Sequence, residues 1–264
     1  MSTLRVHVEG VGLWSPALAD FTAMRALLDG APPPAAPARP AAATLPPNER
    51  RRAPESVLLA VEAAGQAVAM SGRDAATLAC VFASSHGDQA ITDYMCATLA
   101  RTPAELSPTR FHNSVHNAAV GYWTIATGCH APSTAICAQR ASFGAGLLEA
   151  AGQVLAEQRA VLLVCSDTGG SGPLREVTGC AQAFGCALVL APHAGPATLA
   201  RLDLALQPGA AIDTPLPEPL AGWRADNPSA ASLAVLALLA GGGGHCQLAA
   251  AATLGLHIDM ELVA

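Results

Sequence analysis

The residues best placed to do chemistry lie in one segment, 131–168, which begins APSTAICAQRASFGAG. Its pattern predicts a strand, a tight turn at Ala138–Arg140, a helix rich in small residues and a second strand. A side chain in such a turn lies at the N-terminus of a helix, where free N–H groups and the helix dipole stabilise negative charge. Cys137 and Ser142, two side chains of nucleophilic type, flank the turn. We therefore examine this turn first for a nucleophile.

The residue types around the turn also have structural interpretations. Cys137 and Cys165 sit in apolar strand runs, where a thiol is hard to ionise, so we interpret both as buried and structural. Ser142 follows Arg140 by two positions, and we interpret it as a helix-start residue that satisfies backbone N–H groups. A stand-alone acyl-thioester hydrolase or acyltransferase using Ser142 or Cys137 stays open as an alternative.

Two other groups of residues could carry chemistry. Ser166 and Asp167 end a predicted strand, but no G-x-S-x-G surrounds Ser166 and the sequence places no His as its base. His112 and His116 have the spacing of two metal ligands on a helix face, yet no carboxylate accompanies them and Pro108 favours a loop. We therefore expect no hydrolase triad, no metal site and no cofactor.

Buried strands and helices alternate along the chain, which is typical of an α/β protein. Continuous apolar runs predict strands buried on both faces of a sheet. The predicted strands are 5–13, 77–85, 133–137, 160–167, 183–192 and 197–206, and the predicted helices are 21–30, 54–72, 89–100 and 141–158. Residues 118–128 fit either a helix or a strand, because Gly121 interrupts the pattern.

The remaining segments predict loops and a short tail. The Pro/Ala-rich segment 31–48 and the segments 102–117 and 207–227 read as loops. Asn227 can cap a helix that runs to the GGGG at 241–244, and a final hairpin follows.

With these elements in order, the sequence resembles the N-terminal half of the β-ketoacyl synthases, which have the thiolase fold. The matching stretches are RVHVEGVGLWSP at 5–16, VFASSHGD at 81–88, APS at 131–133 and AVLLVCSD at 160–167, with Pro108, Asn117 and Gly121 in register with a further family segment. The LPPNERRRAP and FHNSVHN stretches are most similar to a subfamily, the short chain-length-factor-like proteins of aryl polyene clusters.

The resemblance also shows where this chain departs from an active ketosynthase. Arg140 stands where the family has its catalytic Cys, or Gln139 does if the alignment slips by one residue, and neither is a nucleophile. The family's two catalytic His belong to HGTGT and NSFGFGG motifs, which have no counterpart here. The resemblance thus implies no catalytic residue in this chain and no activity of the chain alone.

The fold implied by the resemblance is α/β and thiolase-like, with a complete N-terminal half and a shortened C-terminal half. Residues 1–204 form the ketosynthase-like half, with 31–48 as its Pro/Ala-rich loop. Residues 205–264 form the shortened C-terminal part of loop, helix and hairpin.

The function implied by the resemblance is that of a non-catalytic, chain-length-factor-like subunit. Such a subunit forms a heterodimer, sheet edge to sheet edge, with an active β-ketoacyl synthase, and meets the acyl carrier protein through that complex. The segment 107–117 then lines the partner's acyl tunnel in polyene, polyketide or fatty-acid-type elongation. Its expected interface and tunnel residues are Arg110, Phe111, His112, His116 and Asn117. A homodimeric scaffold without substrate is the other alternative.

Composition excludes several function classes. All 14 basic residues are Arg, so there is no Lys for a Schiff base, a pyridoxal phosphate linkage or a P-loop. A net charge of −6 without a long basic run argues against a nucleic-acid partner. Apolar runs such as 231–240 are shorter than the roughly 18–20 residues of a membrane span, and the N-terminus lacks a signal-peptide pattern, so we expect a cytoplasmic protein. The 8 Cys read as reduced and buried.

Overall fold

The computed structural model of the chain describes residues 3–263. Its strands are β1 (Leu4–Trp14), β2 (Ala79–Ala83), β3 (Ser133–Ile136), β4 (Val161–Asp167), β5 (Phe184–Ala191), β6 (Ala200–Pro208), β7 (Gly244–Ala251) and β8 (Leu254–Leu262). Its α-helices are α1 (Phe21–Leu28), α2 (Pro47–Arg52), α3 (Glu55–Ser71), α4 (Gln89–Arg101), α5 (Pro108–His112), α6 (Ala118–Thr127), α7 (Ser142–Glu157), α8 (Gly172–Thr178), α9 (Leu220–Asp226) and α10 (Leu233–Gly241).

All eight strands form one sheet, in the order β3-β2-β4-β5-β1-β6-β8-β7. The strands β3, β2 and β4 are parallel to one another, and every other neighbouring pair is antiparallel. The carboxyl ends of the three parallel strands therefore lie side by side, as in other α/β proteins. The candidate turn follows β3 and lies beside these carboxyl ends.

Two layers of helix cover the sheet. On one face, α3 and α6 pack over β2, β4 and β5, with Trp123 of α6 fully enclosed. On the other face, α1, α7 and α10 pack against the sheet in the larger core. Small residues let α3 approach closely: a Cβ at Gly12 of β1 would lie 1.9 Å from the carbonyl oxygen of Ala63. Only glycine permits this backbone contact.

The sheet curves around α7. This helix contacts β4 near one end of the strand order and β7 at the other, although five strand spacings of about 4.8 Å would separate those strands in a flat sheet. Both strands contact the same turn of α7, because a Cβ at Gly146 would lie 3.1 Å from Leu163 of β4 and Gly144 faces β7. A helix is only about 10 Å across, so the sheet must bend to place both strands against that turn. Gly144 marks the β7 contact, since a Cβ there would lie 2.2 Å from the carbonyl oxygen of Ala249.

The element order confirms the expected α/β alternation, with two corrections. The segment 102–117 is not all loop, because Pro108 begins α5 as its first residue, a position that tolerates the missing N–H. The segment 207–227 likewise contains α9, which follows Pro219. Residues 118–127 form a helix, α6.

The C-terminal tail is continuous with the rest of the sheet. The expected domain boundary at residues 204 and 205 falls inside β6, and β8 pairs with β6 along its whole length. Asn227 caps a 3-10 turn at Pro228–Ser232, which leads into α10. Among residues 3–263, no helix has both the length and the apolar character needed to cross a membrane.

Candidate functional site at the α7 turn and the α5–α6 surface

The turn before α7 carries Gln139 and Arg140, the two residues expected at the nucleophile position. A 3-10 turn at Gln139–Ala141 connects β3 to α7, and Gln139 has a φ of +51°. Both side chains are exposed. Neither glutamine nor guanidinium is a nucleophile, so the turn presents no attacking group at its tip.

Arg140 is exposed, and its guanidinium contacts the elements beside the turn. Its Nη2 donates to the carbonyl oxygen of Ala225, at 3.4 Å, near the end of α9. A Cβ at Gly179, which ends α8, would lie 2.7 Å from the same nitrogen. The guanidinium therefore lies at the carboxyl-terminal ends of two helices, where exposed carbonyl groups favour a positive charge. This contact joins the turn to α8 and α9.

The two nucleophile types beside the turn differ from each other. Ser142 is only 1% exposed; its Oγ donates to the carbonyl oxygen of Gln139 at 2.6 Å and accepts from the N–H of Ala138 at 3.0 Å. Cys137 is exposed, which corrects the expectation that it is buried, because β3 is a sheet edge. Its Sγ donates to the carbonyl oxygen of Ser85 at 3.1 Å. Among residues 3–263, both groups are hydrogen-bonded to backbone atoms and to no ionisable side chain.

Most other cysteines are inert thiols. Cys165 is buried as predicted, and burial raises the pKa of its thiol well above the ordinary value, with Cys186 and Asp167 adding to the effect. Burial likewise raises the pKa of Cys180 to about 12. The expectation of eight buried cysteines is wrong for Cys96 and Cys137, which are exposed.

Beneath the turn lies a buried polar cluster that the sequence did not single out as a unit. The carboxylate of Asp167 accepts from Ser84 Oγ and the Ser85 N–H, both at 2.8 Å, and from Ser229 Oγ at 2.6 Å. Asn227 is fully buried and donates to the carbonyl oxygen of Asp167 at 2.9 Å. These bonds compensate the buried charge and fix the ends of β2 and β4 to the 3-10 turn before α10. In the sequence, the one indication of this cluster is Asp167 at the end of a mostly apolar predicted strand.

The expected interface residues form an exposed surface on α5 and the segment that follows it. Arg110, Phe111, His112, His116 and Asn117 are all exposed. The guanidinium of Arg110 stacks over the ring of Tyr94, with its carbon 4.0 Å from the ring centre. The side chain of Phe111 is 58% exposed, which is high for a large apolar group.

His112 and His116 do not share a helix face, because α5 ends at His112 and α6 begins only at Ala118. Across residues 3–263, no group of three or more His, Cys, Asp or Glu side chains is placed to hold a metal ion. His116 instead lies beside Gly87 of the β2–α4 loop, where a Cβ would be 3.6 Å from its ring.

A groove of about 420 Å³ continues this surface along α6. Its lining is Leu45, Pro46, Glu49, His112, Asn113, Val115, Asn117, Ala118, Gly121, Tyr122, Ile125 and Ala126. Ile125 and Val115 are 83% and 52% exposed. We refer to this feature as the α6 groove.

The edge strand β3 lies next to this surface. It pairs with β2 on one side only, and Ser133 and Ala135 are exposed. Its second side therefore offers unpaired backbone groups to another chain.

Comparison with known proteins agrees with the fold just described. The family model described as "Beta-ketoacyl synthase, N-terminal domain" matches residues 25–211. No curated protein matches the sequence.

Solved ketosynthase structures share the architecture. A chain of the structure described as "Ketosynthase (ApeO) in Complex with its Chain Length Factor (ApeC) from Xenorhabdus doucetiae" is 24% identical, with a TM-score of 0.71, covering 97% of this chain and 99% of that one. The complex "AntDE:AntF (apo): type II PKS acyl-carrier protein in complex with its ketosynthase bound to the hexaketide" has a TM-score of 0.72 at 14% identity, covering 99% and 100%. A β-ketoacyl synthase from Burkholderia phymatum STM815 has a TM-score of 0.58 at 16% identity, covering 77% and 64%.

These likenesses confirm the predicted thiolase-like α/β fold. Because the family model spans most of the sequence, from the end of α1 through β6, the chain belongs to the β-ketoacyl synthase family, by its N-terminal domain.

Proposed function

We propose that the chain is a non-catalytic, chain-length-factor-like subunit that pairs with an active β-ketoacyl synthase and shapes its acyl tunnel. The observation that carries the proposal is the turn before α7, where Arg140 and Gln139 are exposed and no thiol or hydroxyl occupies the tip. The chain keeps the ketosynthase fold and family but lacks a nucleophile at this turn. Condensation then requires a partner that supplies the catalytic groups.

The placement of the C-terminal histidines supports the same proposal. His193 lies in the loop after β5, and His245 and His257 are on the sheet, in β7 and β8. His257 Nε2 lies 3.3 Å from Asp259, and none of the three is hydrogen-bonded to residues of the turn. A ketosynthase needs its proton-transfer groups within hydrogen-bond reach of the reacting atoms.

The open edge of β3 and the apolar side chains nearby support a heterodimer. An unpaired strand edge favours pairing with another chain, and Phe111, Val115 and Ile125 leave much apolar area exposed to water. A partner sheet added at β3 brings α5 to the subunit boundary. Arg110, Phe111, His112, His116 and Asn117 then shape the partner's tunnel, in aryl polyene, polyketide or fatty-acid-type elongation in the cytoplasm. The acyl carrier protein meets the chain only through the complex.

Purification of the chain alone and together with a ketosynthase encoded beside it tests the pairing. We expect a stable heterodimer that condenses acyl thioesters, and a lone chain that gains no acyl mass when weighed intact after incubation with an acyl thioester. A stoichiometric acyl adduct on the lone chain would instead support a stand-alone hydrolase or acyltransferase. Arg140→Cys tests the missing second half: we expect it to remain inactive alone.

Product lengths from the reconstituted pair test the tunnel role. Phe111→Ala should lengthen or broaden the product range and Phe111→Trp should shorten it, because the side chain sets the available volume. Ile212→Ala is the matched control, since Ile212 is 81% exposed in the loop after β6. Unchanged lengths in both Phe111 variants, with the complex intact, would leave only a scaffold role.

A further inference from the structure

We propose that the α6 groove is the anchoring pocket for an apolar side chain of the ketosynthase partner, and so determines which subunit this chain accepts. The inference rests on the function proposed above and adds a recognition site that extends from the tunnel segment onto α6 and residues 45–49. It concerns the outer surface of α6 and the residues of 45–49 that face it.

The lining of the groove fits an apolar anchor. Its apolar lining includes Leu45 and Pro46 and, from α6, Tyr122, Ile125 and Ala126. The volume of about 420 Å³ lies within the 300–1,000 Å³ range of ordinary binding pockets. The hydroxyl of Tyr122 is already donated to Asn113 Oδ1, at 3.3 Å, so the ring presents its apolar part.

The most exposed apolar side chains of this region surround the groove. Ile125 and Val115 are 83% and 52% exposed while lining it, and Phe111 continues the apolar area along α5. Contiguous apolar surface of this kind typically marks an interaction site. A buried apolar anchor in the centre of an interface contributes far more binding energy than the contacts around it.

The location of the groove identifies the partner as its occupant. Residues 128–132 connect α6 directly to β3, and α6 packs on β2, the strand beside that open edge. A subunit that adds its sheet at β3 is therefore adjacent to α6. Contact with that subunit would bury the side chain of Ile125, which is exposed in this chain.

The charge at the rim refines the chemistry of the anchor. Glu49 is exposed and is the acidic side chain of the lining, and it makes no ion pair within residues 3–263. A Leu, Met or aromatic side chain followed by Arg or Lys would satisfy both the groove and its rim.

Gly121 offers a way to fill the groove from inside. It lies within α6 and lines the groove, and a Cβ there meets nothing within 4 Å, so the side chain of Gly121→Leu starts in free space at the groove. Leucine also has a higher helix propensity than glycine, so the variant should fold. Gly241→Leu is the matched control, because Gly241 ends α10, is exposed and has equally free space.

The experiment measures the dissociation constant of the complex between the full chain and its neighbouring ketosynthase. We expect Gly121→Leu and Ile125→Glu to weaken binding by at least about 10-fold. Gly241→Leu and Ile212→Glu should leave binding unchanged, since Ile212 matches Ile125 in exposure. Glu49→Gln should weaken binding by about 2–5-fold and reduce its salt dependence.

Each outcome decides a separate point. If the unmodified chain binds the ketosynthase and Gly121→Leu binds equally well, the groove inference is wrong while the proposed subunit role stands. If the unmodified chain binds no ketosynthase, the proposed function fails and the inference fails with it. If Gly121→Leu instead disrupts a homodimer, the occupant is a second copy of this chain, which also contradicts the inference.

Discussion

Two regions of the sheet, the strands β4 and β5 and the strands β6 and β8, bury their side chains differently. Every residue of β4 and β5 is buried, because α3 covers one face of these strands and α7 the other. In β6 the buried Leu202 and Leu204 alternate with the more exposed Arg201 and Asp203, and β8 shows the same alternation. The helix layer of α1, α7 and α10 lies over both regions, whereas α3, on the opposite face, covers β4 and β5 but not β6 or β8.

This difference shows that the pattern of apolar residues in a strand depends on whether helices cover one face of the strand or both faces. A strand between two layers needs apolar side chains on both faces, whereas a strand with one solvated face needs alternation. The outer face of β6 and β8 is charged accordingly: Asp203 is bonded to Arg5 at 2.7 Å, and Arg201 is paired with Glu261. The strands β6 and β8 therefore bury their apolar side chains without a second helix layer.

The strongest test of this difference is to truncate two consecutive side chains in β4 and two in β8. Leu162→Ala and Leu163→Ala in β4 should each lower the free energy of unfolding by about 2–5 kcal/mol, because both faces are buried. In β8, Ile258→Ala should have an effect of this size, but His257→Ala should change it by only about 0.5 kcal/mol. Urea unfolding midpoints measure all four. Equal losses at Ile258 and His257 would contradict the one-layer interpretation of β8.

A smaller effect is expected where α7 touches the β7 end. Gly144→Ala places a Cβ 2.2 Å from the Ala249 carbonyl oxygen and should cost about 1–3 kcal/mol. Gly152→Ala in the same helix meets nothing within 4 Å and should stabilise by about 0.5–1 kcal/mol. Hydrogen exchange should show faster opening of β7 and β8 than of β4 in the Gly144 variant. An equal loss of protection in β4, β7 and β8 would contradict the interpretation that the Gly144 contact holds β7 and β8 separately from β4.

Alkaline pH should lower the free energy of unfolding mainly through the buried thiols of the strands that helices cover on both faces. Burial raises the pKa of Cys80 and Cys186 to about 12, so their thiols stay protonated when folded and ionise near 8.5–9 when unfolded. Their contribution is full below that range and is lost as pH rises toward 12, by up to about 1.4 kcal/mol per pH unit for each thiol. Thermal unfolding of Cys186→Ala should depend less steeply on pH above 9. The exposed Cys96 provides the control, since Cys96→Ala should keep the wild-type slope.

Acid should lower the free energy of unfolding by a smaller amount, through the ion pair on the solvent-facing side of β6. The hydrogen bond from Arg5 lowers the pKa of Asp203, so the charged carboxylate is favoured in the folded state. Its contribution is present above the ordinary Asp pKa of about 3.9 and is lost as pH falls below it. Asp203→Asn should therefore reduce the acid sensitivity of unfolding by a small amount, because the pair is on the surface. An unchanged acid profile would mean that the pair contributes nothing to stability.

Much of the fold was predictable because apolar runs and periodicity decide buried elements. The strand at 160–167 and the helix at 141–158 were predicted nearly to the residue, since burial on both sides leaves few polar interruptions. The short helices α5 and α9 were missed. Each begins at or just after a proline, inside a segment whose turn-forming residues indicate a loop, and tertiary contacts stabilise such short helices more than propensity does.

The candidate site was predictable in part. The turn at 138–140 followed from the strand and helix on each side of it, but the exposure of Arg140 and Cys137 did not. The exposure of Cys137 depends on β3 being a sheet edge, and the contacts of Arg140 depend on α8 and α9 ending beside the turn. Both follow from the tertiary arrangement of distant segments. The bonds of Asp167 also join residues far apart in the sequence, which a local pattern does not reveal.

The position of β1 in the sheet has a consequence for the timing of synthesis. The strand β1 pairs only with strands made much later: His7 is opposite Ala191 of β5, and Leu4 is opposite Leu204 of β6. At roughly 5–20 residues per second, β1 waits about 10–40 s on the ribosome before either neighbour exists. Such long-range pairing also slows folding, because the intervening chain must be ordered first. During that interval the apolar β1 lacks both of its partner strands, and a ribosome-bound chaperone would find a binding site in it.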